Sequence, residues 1–578
     1  MPTTQTNSPG RSRKPYMSFS NIGFAICLAG TMATAAMAQA PSVTPNGIVN
    51  VGSYAYADLP SGAIAQGSIF GIFGTNLGPA QYVQATSYPI PTTLGGTSVK
   101  ITSGSTTAQA LIFLASSGQI NALLPSTIAA GNATLTVTTS AGTSAAASFK
   151  VVANSFGTFS LNSGGSGPGA ITDPQGHIYG FNAAANPGDV AIIYGTGLGP
   201  VQGNEAGGAL PGDQPNLPLE VWVGNTKATV SYRGRSGCCA GLDQITFTVP
   251  PATGCRVPLV IKINNVVSNT TTIAVAPKGS RTCSDPGGPS SADLAKFQAQ
   301  GGASIGAVVL ARITTSLNLS GVPSIPGVSL PTSFSADTGA ATFQKYTAAQ
   351  LDTGNNPFNS YTAGACTVSY TKGSSNPADP TFPKSLDAGA AITVNGPKGS
   401  KPINKATAGG VIAYSGLFTD PAAALSGAPS FLDPGSYTIS GPGGPDVGAF
   451  SAQMTLSTAL NWTNQSNITD VNRANGQQVT WSGGDPSSLV LITGYSQGST
   501  ASDATGATFV CFANNADKQF TIPSYVLLAL PQSVVVSGVS TGGLLVGSSS
   551  TPKSFTAVGM DAGYLISNST SLQTVNYK

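Results

Sequence analysis

Histidine is almost missing: His177 is the one copy in 578 residues. That excludes a histidine-built metal centre and leaves any serine or cysteine nucleophile a single place to find an imidazole base. Charge is scarce too. Lys plus Arg number 24 and Asp plus Glu 21, together 8% of the chain. Three of the bases, Arg11, Arg13 and Lys14, lie in the first 38 residues, which carry no acid; beyond them the balance is 21 (24 − 3) against 21. Nucleic acids and anionic membranes are bound by clustered Lys and Arg, which a formally neutral chain does not supply. Cys-x-x-Cys pairs and an Asp-x-Asp-x-Asp-Gly calcium loop are missing as well. No metal, no cofactor and no nucleic-acid partner is expected. Nor does any later segment read as a bilayer span. The best candidate, Tyr525 to Gly547, is broken by Pro531, Gly538, Gly542 and Gly543 and reads as two or three strands.

What is present starts with an export signal. The basic residues precede an apolar stretch from Ile22 to Ala38, which ends in Ala36-Met37-Ala38 ahead of Gln39. This is the pattern of a signal peptide over residues 1–38, cleaved near Ala38. A secreted, periplasmic or extracellular protein is expected, with no transmembrane span after cleavage. Six cysteines then remain: Cys238, Cys239, Cys255, Cys283, Cys366 and Cys511. An even number in an exported chain reads as disulfides. A ring between neighbouring Cys238 and Cys239 is strained, so each is expected to reach Cys255 or Cys283. Cys366 and Cys511 are left for each other.

Glycine (72) and proline (41) are abundant, so turns are frequent and long helices improbable. The chain also repeats itself. Gly67-Ser-Ile-Phe-Gly-Ile-Phe-Gly-Thr-Asn-Leu-Gly-Pro79 returns as Gly188-Asp-Val-Ala-Ile-Ile-Tyr-Gly-Thr-Gly-Leu-Gly-Pro200, and Gln119-Ile-Asn-Ala-Leu-Leu-Pro125 as Gln244-Ile-Thr-Phe-Thr-Val-Pro250. The offsets are 121 (188 − 67) and 125 (244 − 119). Two domain-length segments with the same features in the same order mean a tandem duplication. Short alternating runs, such as Thr97 to Thr102, Ala133 to Thr138 and Leu219 to Val223, make each copy a sandwich of six or seven strands. Gly74 and Gly195 should occupy the same turn, and Gln119 and Gln244 the same strand position.

These features resemble the IPT/TIG branch of immunoglobulin-like domains: a strand ending in Gly-Thr-Asn-aliphatic, a Val-x-Val strand, Gln-Ile-x-x-x-x-Pro, a glycine and a Leu-x-Val strand. Here they are Gly74 to Leu77, Val99 to Ile101, Gln119 to Pro125, Gly131 and Leu135 to Val137, repeated as Gly195 to Leu198, Val221 to Gly224, Gln244 to Pro250, Gly254 and Leu259 to Ile261. The pair is also similar to the secreted module called the Solibacter C-terminal domain. Its features stand here as Val49-Asn-Val-Gly-Ser-Tyr54, Pro91 to Gly96, Gly118-Gln-Ile-Asn121 and Ser268-Asn269. The resemblance implies fold and secretion over about 230 residues and transfers no activity or catalytic residue. This chain departs by continuing for some 300 residues.

The expected fold is therefore all-β: tandem IPT/TIG-like sandwiches over 39–155 and 156–278, a linker with a short helix over 279–304, and a further β-rich domain of one or two sandwiches over 305–578. The helix should start at Ser290-Ser-Ala-Asp293, which fits a capping box.

Residues that look chemical mostly have plainer readings. Gly494-Tyr-Ser-Gln-Gly498 matches the nucleophile elbow, but Ser499 to Gly506 is a poor helix and no histidine follows. Gly195-Thr-Gly-Leu-Gly199 hints at a dinucleotide loop, but Pro200 follows where a helix is needed. His177 sits beside turn residues. Asp433, Asp446 and Asp485 lie next to Gly or Pro, and Asp503 lies in a Ser/Thr-rich loop, as turn formers do. Trp222 and Trp481 sit in alternating strands and read as core. Trp462, in Asn461-Trp-Thr-Asn-Gln, is the best candidate for exposed stacking on a sugar. No catalytic, cofactor or metal residue is assigned. The leading expectation is a non-enzymatic exported protein for display, adhesion or assembly, with an unknown protein or glycan as partner at the cell surface. A carbohydrate-binding array is the alternative, and a secreted hydrolase using carboxylates comes third.

Overall fold

Alternation builds the first sandwich. The strand Thr97–Ser103 buries Thr97, Val99, Ile101 and Ser103 and turns the residues between them outward. Its neighbour Gly131–Thr139 buries Ala133, Leu135 and Val137 against them. The opposite sheet runs Ser42–Asn50, Ile69–Thr75, Gln119–Leu123, Leu111–Ala115, Val83–Gln84 and supplies Ile48, Phe70, Ile72, Ile112 and Ile120 to the same core. This computed structural model describes residues 39–210, 212–285, 288–316, 333–351, 362–372, 383–420, 430–501 and 504–578. The leader expected over 1–38 and the loop residue Asp503 lie outside them.

The second sandwich repeats the first pair for pair. Ile69–Thr75 lies against Gln119–Leu123 with Phe73 opposite Gln119; Val190–Thr196 lies against Asp243–Thr248 with Tyr194 opposite Gln244. Val99 faces Val137 and Ile101 faces Leu135; Val221 faces Ile261 and Val223 faces Leu259. A one-residue slip would turn every side chain to the wrong face, so matching registers mean matching cores. Gly74 and Gly195 accordingly end the same strand. One difference is local. Copy one breaks its sheet-switching strand into Thr106–Gln109 and Leu111–Ala115, whereas copy two runs through as Thr226–Arg235 with an irregularity between Val230 and Tyr232.

The remaining residues form a third β domain. Twelve strands follow one path from Cys366–Lys372 at one edge to Phe450–Leu456 at the other. At its centre the first long strand, Gly302–Ser316, pairs in parallel with the last, Ala562–Thr574. Two apolar clusters pack on this sheet. One holds Trp462, Trp481, Ile492, Phe509 and Tyr525, the other Phe343, Ile392, Tyr414, Tyr437 and Phe450. The choice between one or two sandwiches thus resolves into two cores on one continuous sheet.

The connector is not a free linker. The helix Ser291–Ala299 starts with the expected capping box, Ser290 and Asp293 bonding reciprocally. Leu294 and Phe297 bury against Phe181 of the second sandwich and Ile305 and Tyr346 of the third domain. Tyr525 also departs from expectation. It lies in a short helix, Ser524–Leu528, whose Tyr525, Val526, Leu527 and Leu528 are all buried, where the apolar run reads as strand. Burial on every side leaves no amphipathic period, so helix and strand cannot be told apart by pattern there. Among the described residues, no helix is long and apolar enough to cross a membrane.

Candidate functional site

The repeated motifs converge on the junction between the two sandwiches. Asn50 ends the strand Ser42–Asn50, and its Oδ1 accepts from the N–H groups of Gly52 and Ser53 at 2.7 and 3.3 Å, closing a tight turn. Its Nδ2 donates to the carbonyls of Ser155 and Thr196. Gly52 is required there, because a Cβ would stand 2.3 Å from the Gly157 carbonyl oxygen. From the far side comes Asn269. Its Oδ1 accepts from Thr158 N–H at 2.8 Å, and its Nδ2 points at the carbonyls of Gly52, Thr158 and Gly165. Both asparagines are buried. Buried backbone groups need partners, and these two amides satisfy groups of both sandwiches at once.

A buried ion pair holds the same junction further along. Arg235 and Asp243 flank the loop 236–242 and bond each other, both nearly inaccessible. The second guanidinium nitrogen donates to Gly67 of the first sandwich and Gly199 of the second, each at 2.8 Å. Asp243 Oδ2 accepts from the N–H groups of Gly197 and Leu198, each at 2.7 Å. Burial raises the Asp243 carboxyl, while Arg235 and those two N–H groups pull the other way. The glycine-rich loop that resembles a dinucleotide cradle therefore does hold an anion, namely this protein's own carboxylate. Thr196 adds a further bond across the seam, accepting from Ile69 N–H at 2.8 Å.

The third domain is tied to both sandwiches. Trp222, on the second, packs its ring 5.1 Å from Tyr525, whose hydroxyl donates to the Gly224 carbonyl at 2.7 Å. Asp58, on the first, accepts from Thr505 N–H and Oγ1 at 2.9 and 2.7 Å. Burial pushes the Asp58 carboxyl up, but the Thr505 bonds outweigh it and hold the group below the ordinary carboxylate range.

The disulfides correct the expected pairing. Cys238 bonds Cys239, and Cys255 bonds Cys283 with Cα atoms 5.0 Å apart. The reason is topological. Cys238 and Cys239 lie in the exposed loop before the strand Asp243–Thr248, whereas Cys255 lies beyond its other end. Six extended residues hold the two ends about 20 Å apart, far outside bridging distance. Cys366 bonds Cys511 directly across adjacent strands.

Trp462 is also corrected. It is 5% exposed, stands opposite Trp481 and donates Nε1–H to Asn464 Oδ1 at 2.9 Å. Its immediate neighbours Asn461 and Thr463 are the exposed ones, because the strand Leu460–Trp462 turns positions 460 and 462 inward. Trp481 is buried in the same cluster.

The catalytic look-alikes have structural employment. Ser496 is 1% exposed within the strand Leu489–Gln497; its hydroxyl bonds the Pro531 carbonyl at 2.8 Å and Ser533 Oγ at 3.0 Å. The next element is another strand, Thr505–Asn514, and not a helix. His177 is exposed and pairs through Nδ1 with Asp173 at 2.9 Å, on the rim of an open cleft of about 650 Å³ that also carries the Arg281–Asp189 pair. Asp446 accepts from Asp387 N–H, and Asp485 accepts from Ser487 and Ser457. Asp433 shares Arg312 with the buried Asp337. A bond from Lys398 holds the Asp433 carboxyl below its usual range, the opposite of what a general acid needs. Among the described residues, no group of three His, Cys, Asp or Glu side chains could hold a metal ion.

Sequence reasoning attaches no role to Asn50 and Asn269 beyond the resemblance and does not mark Arg235 or Asp243. A signal existed. Asp243 stands where copy one has Gly118, and a charge in step with the inward-facing Ile245 and Phe247 of an alternating strand asks for a partner.

No family model and no curated protein matches this chain. Among solved structures, a crystal structure of the S-layer protein rSbsC(31-844) aligns at 11% identity over 92% of this chain and 54% of its own length, with a TM-score of 0.16. This chain thus spans about half the length of that protein. SGBP-B from the Bacteroides ovatus mixed-linkage glucan utilization locus aligns at 11% identity over 80% of this chain and 82% of its own, with a TM-score of 0.12. The I9–I11 tandem of titin aligns at 10% identity over 72% and 96%, with a TM-score of 0.11. At these scores the likenesses add nothing to the architecture described above.

Proposed function

We propose that this chain is an exported, non-enzymatic protein of the Solibacter C-terminal-domain kind. Its sandwiches serve as a rigid module for display, adhesion or assembly at or beyond the cell surface. The supporting observation is how the domains are joined. Domains that move against one another meet through modest, polar, hydrated surfaces. Here the joints are buried side chains, Asn50, Asn269, Arg235 and Tyr525, each satisfying backbone of a neighbouring domain. Such joints suit a spacer or platform that keeps its shape. Three disulfides agree with an oxidising compartment. The sparse charge, 8% of the chain, agrees with a partner met through shape and hydrogen bonds, a protein or a glycan.

Expression with residues 1–38 retained in a bacterial host, followed by fractionation, protease treatment of intact cells and small-angle scattering of the purified chain, tests this. The expected result is oxidised protein outside the cytoplasm whose scattering fits one rigid body for residues 40–578. Cytoplasmic protein with free thiols, or scattering that demands freely moving domains, would overturn it.

A further inference from the structure

Where the three domains meet they leave a cavity of about 380 Å³. Residues 53–61 of the first sandwich, 164–166 and 269–270 of the second and 368–370 of the third form its walls. Three tyrosines from two different domains line it: Tyr54, Tyr56 and Tyr370. The Asn50 turn sets the first of them. Tyr54 donates its N–H to the Asn50 carbonyl and takes a left-handed backbone, φ +50°, that bulky residues rarely adopt.

The polar chemistry of the cavity is unusual. Among the described residues, none of the three phenol hydroxyls has a hydrogen-bond partner in the protein; Tyr54 and Tyr370 are half-buried and Tyr56 is exposed. Burial raises both Tyr54 and Tyr370 above the ordinary phenol range. Serine and threonine hydroxyls, Ser61 and Thr270 among them, add to the wall. No Asp, Glu, Lys, Arg or His among the described residues lines it. Two charges stand beside the wall without lining it: Lys372 lies 5.5 Å over the ring of Tyr56, and Asp58 is bonded to Thr505.

We infer that this three-domain cavity is a binding site for a neutral sugar residue. With no charged side chain among the described lining residues, a charged ligand would lose hydration with little to offset it. A purely apolar ligand would leave the phenol hydroxyls unpartnered, which is also costly. A pyranose meets both demands. Its C–H faces lie on aromatic rings, and its hydroxyls both donate and accept. The volume falls in the usual range for small-ligand sites. The site exists only when all three domains are assembled, so the junction bonds also shape the cavity.

The test uses the purified chain from residue 39 with its disulfides intact. Saturation-transfer NMR would be run with the methyl glycosides of glucose, galactose and N-acetylglucosamine, and with trialanine as a neutral peptide. Transfer to at least one glycoside is expected. Tyr56→Ala, which changes an exposed ring, and Tyr370→Phe, which keeps the packing and removes the hydroxyl, should each weaken that glycoside roughly three- to tenfold. Both variants should melt close to the parent, showing that they fold. Silence from every glycoside, transfer to trialanine alone, or glycoside binding unchanged in both variants would overturn the assignment.

Discussion

Asn269→Ala isolates the joint between the sandwiches, because the protein carries its own control. In copy one Ser144 Oγ accepts from Val137 N–H and donates to the Ala145 carbonyl; in copy two Ser268 Oγ accepts from Ile261 N–H and donates to the Asn269 carbonyl. The backbone at position 269 is thus the backbone that already carries alanine at 145, and the substitution asks for no local refolding. What it removes is the amide. Thr158 N–H loses its acceptor, and the carbonyls of Gly52, Thr158 and Gly165 lose a donor in a largely buried site. A buried unsatisfied group costs about 1–3 kcal/mol, with an N–H at the upper end, so the variant should lose about 3–4 kcal/mol. For two sandwiches unfolding together that is a melting shift on the order of 10 °C. Scanning calorimetry of the oxidised chain would read it, with separation of one transition into two as the accompanying sign. A shift no larger than 1–2 °C, with the transition still single, would refute the claim that this side chain holds the sandwiches together.

The three disulfides should differ in weight. By the chain-entropy model, replacing Cys255 and Cys283 by serine removes a closure over 28 residues and costs about 3.5 kcal/mol, and replacing Cys366 and Cys511 removes one over 145 and costs about 5 kcal/mol. Replacing Cys238 and Cys239 should leave chemical denaturation nearly unchanged, since that loop is also held by Ala240 N–H on Tyr88 and by Thr196 on the Gly241 carbonyl. Asp58 makes one contact acid-sensitive. Its folded carboxyl lies below the ordinary range, so its contribution is present above pH ~4 and is lost as pH falls through the folded value. The protection of Thr505 N–H, exchange being taken relative to its intrinsic rate at each pH, should fall on acidification in the parent and show no such acid-linked fall in Asp58→Asn. Ser496 should not react with a fluorophosphonate probe, and labelling abolished by Ser496→Ala would revive the hydrolase reading. Trp462→Ala should destabilise the third domain by about 3–5 kcal/mol as a core deletion does, visible as a lower urea midpoint.

The parts of this molecule that sequence discloses are those governed by local period and by repetition. Alternation at Thr97–Ser103 and Leu219–Val223 is written in every second residue, and the two Gln-Ile motifs fix a register that the strand pairs Phe73–Gln119 and Tyr194–Gln244 share. The capping box at Ser290 is likewise a three-residue signal. What escapes is whatever depends on which end of a strand a residue occupies. Cys238 and Cys255 are close in sequence, yet the strand between them carries them to opposite ends, so counting cysteines favours the wrong partners. Trp462 sits among Asn and Thr, yet strand parity sends it inward while its neighbours face out. Asn50 and Asn269 lie 219 residues apart (269 − 50), and no local pattern relates them. Their shared purpose is visible only when Gly52 and Thr158 are seen between them with backbone groups that only those amides reach. The same distinction separates the two sugar hypotheses. Trp462 was suggested by its neighbours in the chain and is core. The cavity of Tyr54, Tyr56 and Tyr370 is assembled from segments more than 300 residues apart (370 − 56 = 314), and its unpartnered hydroxyls could be noticed only after the domains had been joined.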